Sequence, residues 1–168
     1  MDVEFVGFAE GCCVTGKVGL GDARLADLLN RQRTIIVKDA VVVRTLDGHI
    51  DNFEQLEIGC DELAIVVANG PSGDPRRRMP TTAECVTLQL GPYSAEGFVH
   101  TSLSEIADPG LEDGPAMVAL TDAWLEYQFR DEPRSEWFRT LLVNRAMAIS
   151  LRTVVGPGDQ SAEIDAPA

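Results

Sequence analysis

Hydrophobic and polar positions alternate along much of this chain, and the alternation breaks at glycine- and acid-containing turns, the pattern of short strands in succession. Val3 to Phe8 reads as a first strand with Glu4 inside it, and Glu10-Gly11 as a turn. In Cys12 to Leu20, Val14, Gly16 and Val18 share one face by period two. Gly21-Asp22 supplies a break and a helix N-cap. Leu25, Leu28 and Leu29 then form one apolar stripe at helical spacing over Arg24 to Leu29, and Asn30 is placed to end the helix. Thr34 to Thr45 is almost continuously β-branched or apolar, and Lys38-Asp39 in its middle predicts a bulge. Past the Asp47-Gly48 turn, Phe53 to Ile58 and Leu63 to Ala68 predict two more strands around Gly59-Cys60-Asp61.

The segment from Asn69 to Thr82 carries proline, glycine and three arginines with almost nothing apolar, which predicts a linker. Beyond it the pattern starts again. Glu84 to Leu90 alternates, Ala95 to Thr101 follows the Gly91-Pro92 turn, and Ala116 to Phe129 is a long apolar run. Glu136 to Val143 and Ala146 to Val154 complete the set. At an offset of 81 residues Gly16 falls on Gly97, Val18 on Val99, Leu25 on Ile106, Ala26 on Ala107 and Asp27 on Asp108. After two inserted residues Asp39-Ala40 falls on Asp122-Ala123, and near the end Ala64-Ile65 and Val67 fall on Ala148-Ile149 and Leu151. Asp108-Pro109-Gly110 cuts the second helix to one turn at most. The pattern predicts a mainly β protein of two tandem small barrel-like units, each with one short helix, related by pseudo-two-fold duplication. The expected boundaries are 1–68 for the first unit, 69–82 for the linker, 83–155 for the second unit and 156–168 for a disordered acidic tail.

The formal charge of −13 over 168 residues, spread through both halves, speaks against a nucleic-acid partner. No apolar run approaches the ~20 residues of a membrane helix. The N-terminus lacks the basic flank of a signal peptide, so a cytoplasmic protein is expected. The four cysteines, Cys12, Cys13, Cys60 and Cys85, show no zinc-ligand spacing and read as free thiols.

Arg24-Leu25-Ala26-Asp27-Leu28-Leu29-Asn30 resembles the Arg-Leu-x-Asp-x-Leu-Asn helix of an uncharacterised bacterial family of small β-barrel domains. Val143-Asn144-Arg145 resembles that family's closing motif, which the first half replaces with Gly59-Cys60-Asp61. The resemblance covers about residues 12–68 and, more weakly, 95–152. It implies a small barrel loosely like the Sm type and no known activity. Arg76-Arg77-Arg78 ahead of a β unit is also similar to the linker of PilZ domains, which bind a cyclic dinucleotide. The Asp and Gly of their second motif are missing from His100-Thr101-Ser102-Leu103-Ser104-Glu105.

No catalytic constellation stands out. Cys13, His100 and Asp108 can be assembled on paper as nucleophile, base and acid, but nothing in their spacing demands it. His49 reads as a turn residue, and Asp27 and Asp108 recur as partners for backbone or arginine. No metal-ligand cluster, phosphate loop or cofactor motif is present, so neither a metal nor a cofactor is expected. Two candidate contact sites remain. Arg76, Arg77 and Arg78 are candidates for a small anionic ligand held between the units, with a solvated linker as the alternative. Trp137 and Phe138, neighbours on a strand and so facing opposite ways, are candidates for a partner contact, with core packing as the alternative. The expectation for function is a non-catalytic binding or scaffold module acting through a protein partner or self-association. A regulatory domain that binds an anionic ligand through the arginine linker is the alternative.

Overall fold

A computed structural model describes residues 1–70, 83–100, 116–148 and 150–153. Ten strands run in the order β1 (Asp2–Ala9), β2 (Cys12–Gly19), β3 (Thr34–Arg44), β4 (Ile50–Gly59), β5 (Leu63–Val67), β6 (Glu84–Leu90), β7 (Tyr93–Val99), β8 (Met117–Phe129), β9 (Glu132–Asn144) and β10 (Ser150–Thr153). Among the described residues one α-helix, α1 (Leu25–Arg31), lies between β2 and β3. Strands dominate, as the alternation predicts.

All ten strands belong to one antiparallel sheet ordered β10-β6-β7-β8-β9-β5-β1-β2-β3-β4. Two separate closed barrels are therefore not what the chain forms. A unit closed on itself would pair β5 back onto β4. Here one edge of β5 is taken by β1 and the other by β9, through Ile65–Val143, Val66–Leu142 and Val67–Leu141. The sheet is left open, with β4 at one end and β10 at the other.

The β5–β9 seam is buried on both faces. Every residue of β5 is buried. Ile65, Val67, Leu141 and Val143 join a core built mainly from the second half, around Val86, Leu88, Leu90, Tyr93, Leu120 and Leu125. Leu63, Val66 and Leu142 join a second core, around Phe5, Val14, Val18, Leu25, Leu29, Ile35 and Val37. Neighbours on a strand point to opposite faces, so the two cores lie on opposite sides of one sheet and meet at this seam.

Long strands bend where the sequence places an acid among apolar residues. Asp39 and Asp122 have φ of 48° and 47°, and the pairing register shifts opposite each, between Thr15 and Lys17 and between Glu96 and Phe98. These are the bulges expected from Lys38-Asp39 and its counterpart. The β8–β9 hairpin closes through Arg130 and Asp131, both at positive φ, the two-residue turn whose twist suits a hairpin. Cross-strand pairing carries β4 back to Ile50 and β9 back to Glu132, ahead of the starts at Phe53 and Glu136 that composition suggests. Helix α1 begins one residue after Arg24, which caps it without a side-chain bond, so Gly21-Asp22 is not the cap. The helix runs on through Arg31 into an extended Gln32, and Asn30 does not end it.

Candidate interaction surface

Trp124 on β8 and Trp137 on β9 are directly paired across the ladder. Their neighbours Ala123 and Leu125 are fully buried, so alternation turns Trp124 outward, and both indoles are about half exposed, at 49% and 50%. Glu96 of β7 stands opposite Trp124, and Phe98, two residues along the same strand, is 39% exposed. Three aromatic side chains thus stand on the outer face of β7–β9, bordered by the exposed carboxylates of Glu96 and Glu126. Trp137 and Phe138 do face opposite ways: Phe138 is half-buried against the core. Trp124 and Phe98 complete the patch that Trp137 alone announces in the sequence. The clue was the alternation, which sets each of them between two buried residues.

The second exposed apolar feature is the edge strand β4. Six of its first residues are exposed, Ile50 and Phe53 among them, at 57% and 41%. Shallow open grooves lie along it, one lined by Lys38, Asp39, Asn52, Phe53, Glu54 and Gln55.

The remaining candidates, where they are described, each have a partner or a packing contact within the chain. Asp27 forms a two-point ion pair with Arg24, at 2.9 and 3.3 Å, which lowers the Asp27 pKa. Asn30, the last residue of the helix motif, accepts the Met117 N–H at 2.8 Å and donates to its carbonyl at 3.4 Å, tying α1 to β8. Asn144 of the closing motif, 3% exposed, donates to Leu63 O at 3.1 Å and accepts from Ala146 N. Both motifs therefore tie one half of the chain to the other.

His49 pairs with Asp51 on the surface at 3.2 Å, and His100 bonds the Thr121 hydroxyl at 2.8 Å. Cys13 lies against the core, where burial first and the neighbouring Cys12 and Glu136 next push its thiol up to about 12. Such a thiol is a poor nucleophile at neutral pH. Cys12, Cys60 and Cys85 are also free, each with its pKa raised by burial. Among the described residues no cluster of His, Cys, Asp and Glu could hold a metal ion, and no helix is long and apolar enough to cross a membrane. Arg76, Arg77, Arg78 and Asp108 lie outside the described residues, as does the expected tail, 156–168. Comparison with protein-family models, curated proteins and solved structures finds no match to this chain.

Proposed function

We propose that the chain is a non-catalytic binding or scaffold module that works through protein–protein contacts, built by tandem duplication of one five-stranded unit. The order of strands supports the duplication. Read in one direction along the sheet, the halves run β10-β6-β7-β8-β9 and β5-β1-β2-β3-β4, the same arrangement twice, head to tail. Register supports it too: Gly16 stands opposite Phe5 as Gly97 stands opposite Val86, and Val41 opposite Asn52 as Trp124 opposite Trp137. Each half curls over its own core as an open, barrel-like unit, Sm-like in outline. On this register Leu151, opposite Leu88, stands where Val66 stands opposite Gly7. That is one residue away from its sequence match to Val67.

The observation that carries the binding role is the aromatic patch. In the first unit its three positions hold Lys17, Val41 and Asn52; only the second unit exposes Phe98, Trp124 and Trp137 there. Large aromatics rimmed by charge are the usual anchors of a protein interface, whereas a duplicated fold needs none at these positions. The test is affinity capture with the tagged chain, comparing the parent with Trp124→Ala and Trp137→Ala. A stoichiometric protein partner is expected with the parent, and each truncation should weaken its retention roughly 30-fold or more, the range of an anchor residue. Circular dichroism should stay unchanged. Capture of no protein, with an anionic metabolite co-eluting and lost in the Arg76/Arg77/Arg78→Ala variant, would replace this reading with a ligand-binding one.

A further inference from the structure

The seam inside the chain shows how one unit docks on the next. β5 of the first unit pairs with β9 of the second, and under the duplication proposed above these strands correspond to β10 and β4. Those are the two strands at the open ends of the sheet. We propose that β10 of one copy pairs antiparallel with the outer edge of β4 in a second copy, repeating the internal seam between chains. This rests on the duplication reading. Transferring the register of Ile65–Val143, Val66–Leu142 and Val67–Leu141 sets Ser150 opposite Ile58, Leu151 opposite Glu57 and Arg152 opposite Leu56.

The contrast between the two equivalent strands supports it. β9 and β4 pair with β8 and β3 in the same register: Leu120–Leu141 matches Val37–Leu56, and Ala123–Phe138 matches Ala40–Phe53. At the occupied seam Leu141 is fully buried and Phe138 packs against the core. At the free end Leu56 is half-buried and Phe53 is 41% exposed. Of the three positions that the internal neighbour pairs with on β9, the counterpart of Leu141 is thus present on β4 as the half-buried Leu56, while Ile58, the counterpart of Val143, is already buried. β4 is ten residues long and hydrogen-bonded on one side only among the described residues, and such an edge is a template for another strand.

The same comparison sets the strength of the contact. Glu57 replaces Leu142, and Ser150 and Arg152 replace Ile65 and Val67, so the intermolecular seam is more polar than the internal one. It forms and dissociates with concentration. A contact of β10 on β4 is heterologous, so it continues from copy to copy into a ring or a filament and does not stop at a dimer. Each copy carries a formal charge of −13. Salt should therefore favour assembly as the screening length shrinks from ~30 Å at 0.01 M to ~8 Å at 0.15 M.

The test mixes two variants of the full chain, Leu56→Cys and Arg152→Cys, under mild oxidation. Residues directly opposite in an antiparallel pair are about 4.5–5.5 Å apart at Cα, within disulfide reach. Peptide mapping distinguishes the new bridge from any made by the native cysteines. The expected result is a 56–152 bridge between chains, formed only in the mixture. Sedimentation of the unmodified protein should give an average mass that rises with concentration, and with added salt, past that of a dimer. A 56–56 bridge from Leu56→Cys alone would mean a symmetric β4–β4 dimer and would overturn the proposal. A monomer at every concentration and salt would do so as well. A monomer that still captures a partner through Trp137 would leave the scaffold reading standing, so the two failures are separable.

Discussion

A methyl group added at Gly16 would lie 2.5 Å from Val37 Cγ1 and 2.6 Å from the Lys38 carbonyl oxygen, because the bulge at Asp39 folds β3 tightly over β2 at this point. The same addition at Gly97 meets Thr121 O at 3.0 Å and Ala123 Cβ at 3.1 Å, over the bulge at Asp122. Neither contact is with the far end of a flexible side chain alone, so the strands must separate to admit it. Gly16→Ala should cost about 1–3 kcal/mol, as overpacking does, and Gly97→Ala should cost less. Urea unfolding of the two variants beside the parent measures both, and equal costs would show that the closer contacts at Gly16 do not set the penalty. This part of the structure was legible in the chain. Gly16 and Gly97 recur at fixed spacing, and an acid recurs within an apolar run opposite each, so each bulge is recorded twice in the local sequence.

Elements are joined by contacts that no local pattern records. Tyr93, at the start of β7, is fully buried and donates its hydroxyl to Ala9 O at 2.6 Å and Cys12 O at 3.3 Å. Its ring packs edge-on with Phe8 and beside Tyr127, so the second half grips the β1–β2 turn. Tyr93→Phe should cost about 1–2 kcal/mol, the worth of a hydrogen bond whose acceptors stay buried. Burial, the largest cause, and the nearby thiols raise the Tyr93 pKa, and burial raises that of Cys13 from 9.0 to about 12. Both groups are neutral in the folded state and ionise more easily when unfolded. Their contribution is therefore complete below pH ~9 and is lost as pH rises towards 12. The melting temperature should fall across that window, and less steeply in Cys13→Ala and in Tyr93→Phe; identical slopes in all three proteins would rule out these groups as the cause. The strands themselves could be read from alternation, but their true lengths could not. β4 and β9 are extended by their hairpin partners β3 and β8 through mainly polar residues that no apolar alternation marks, and Asn30, which reads as a helix terminator, is turned to Met117 of β8.

At the scale of the whole molecule the question is whether the two halves can stand apart. Composition draws a boundary at 69–82, yet the core of the second half contains Phe8, Ala64, Ile65 and Val67 from the first. The core of the first half in turn contains Met117 and Leu142 from the second. The β5–β9 seam that exchanges them rests on three residue pairs, a long-range register that a sequence of alternating aliphatics does not specify. The patch was partly legible: alternation turns Trp124 outward between Ala123 and Leu125, but that it stands beside Trp137 becomes visible only once β8 and β9 are paired. A fragment ending at residue 82 would uncover one whole edge of β5 and leave Leu63, Val66, Phe5 and Phe8 short of neighbours. Each fully buried aliphatic or aromatic side chain so exposed forfeits about 1.5–3 kcal/mol, and a few such losses consume the 5–15 kcal/mol that a domain commonly has. The full chain should therefore unfold in one transition, seen together by Trp124 and Trp137 fluorescence in the second half and by far-ultraviolet dichroism of the whole sheet. The 1–82 fragment should lack strand signal on its own and recover it when residues 83–168 are added in trans. Two separated transitions, or a folded 1–82 fragment, would mean that the seam joins two finished units and that the shared core residues add little to either.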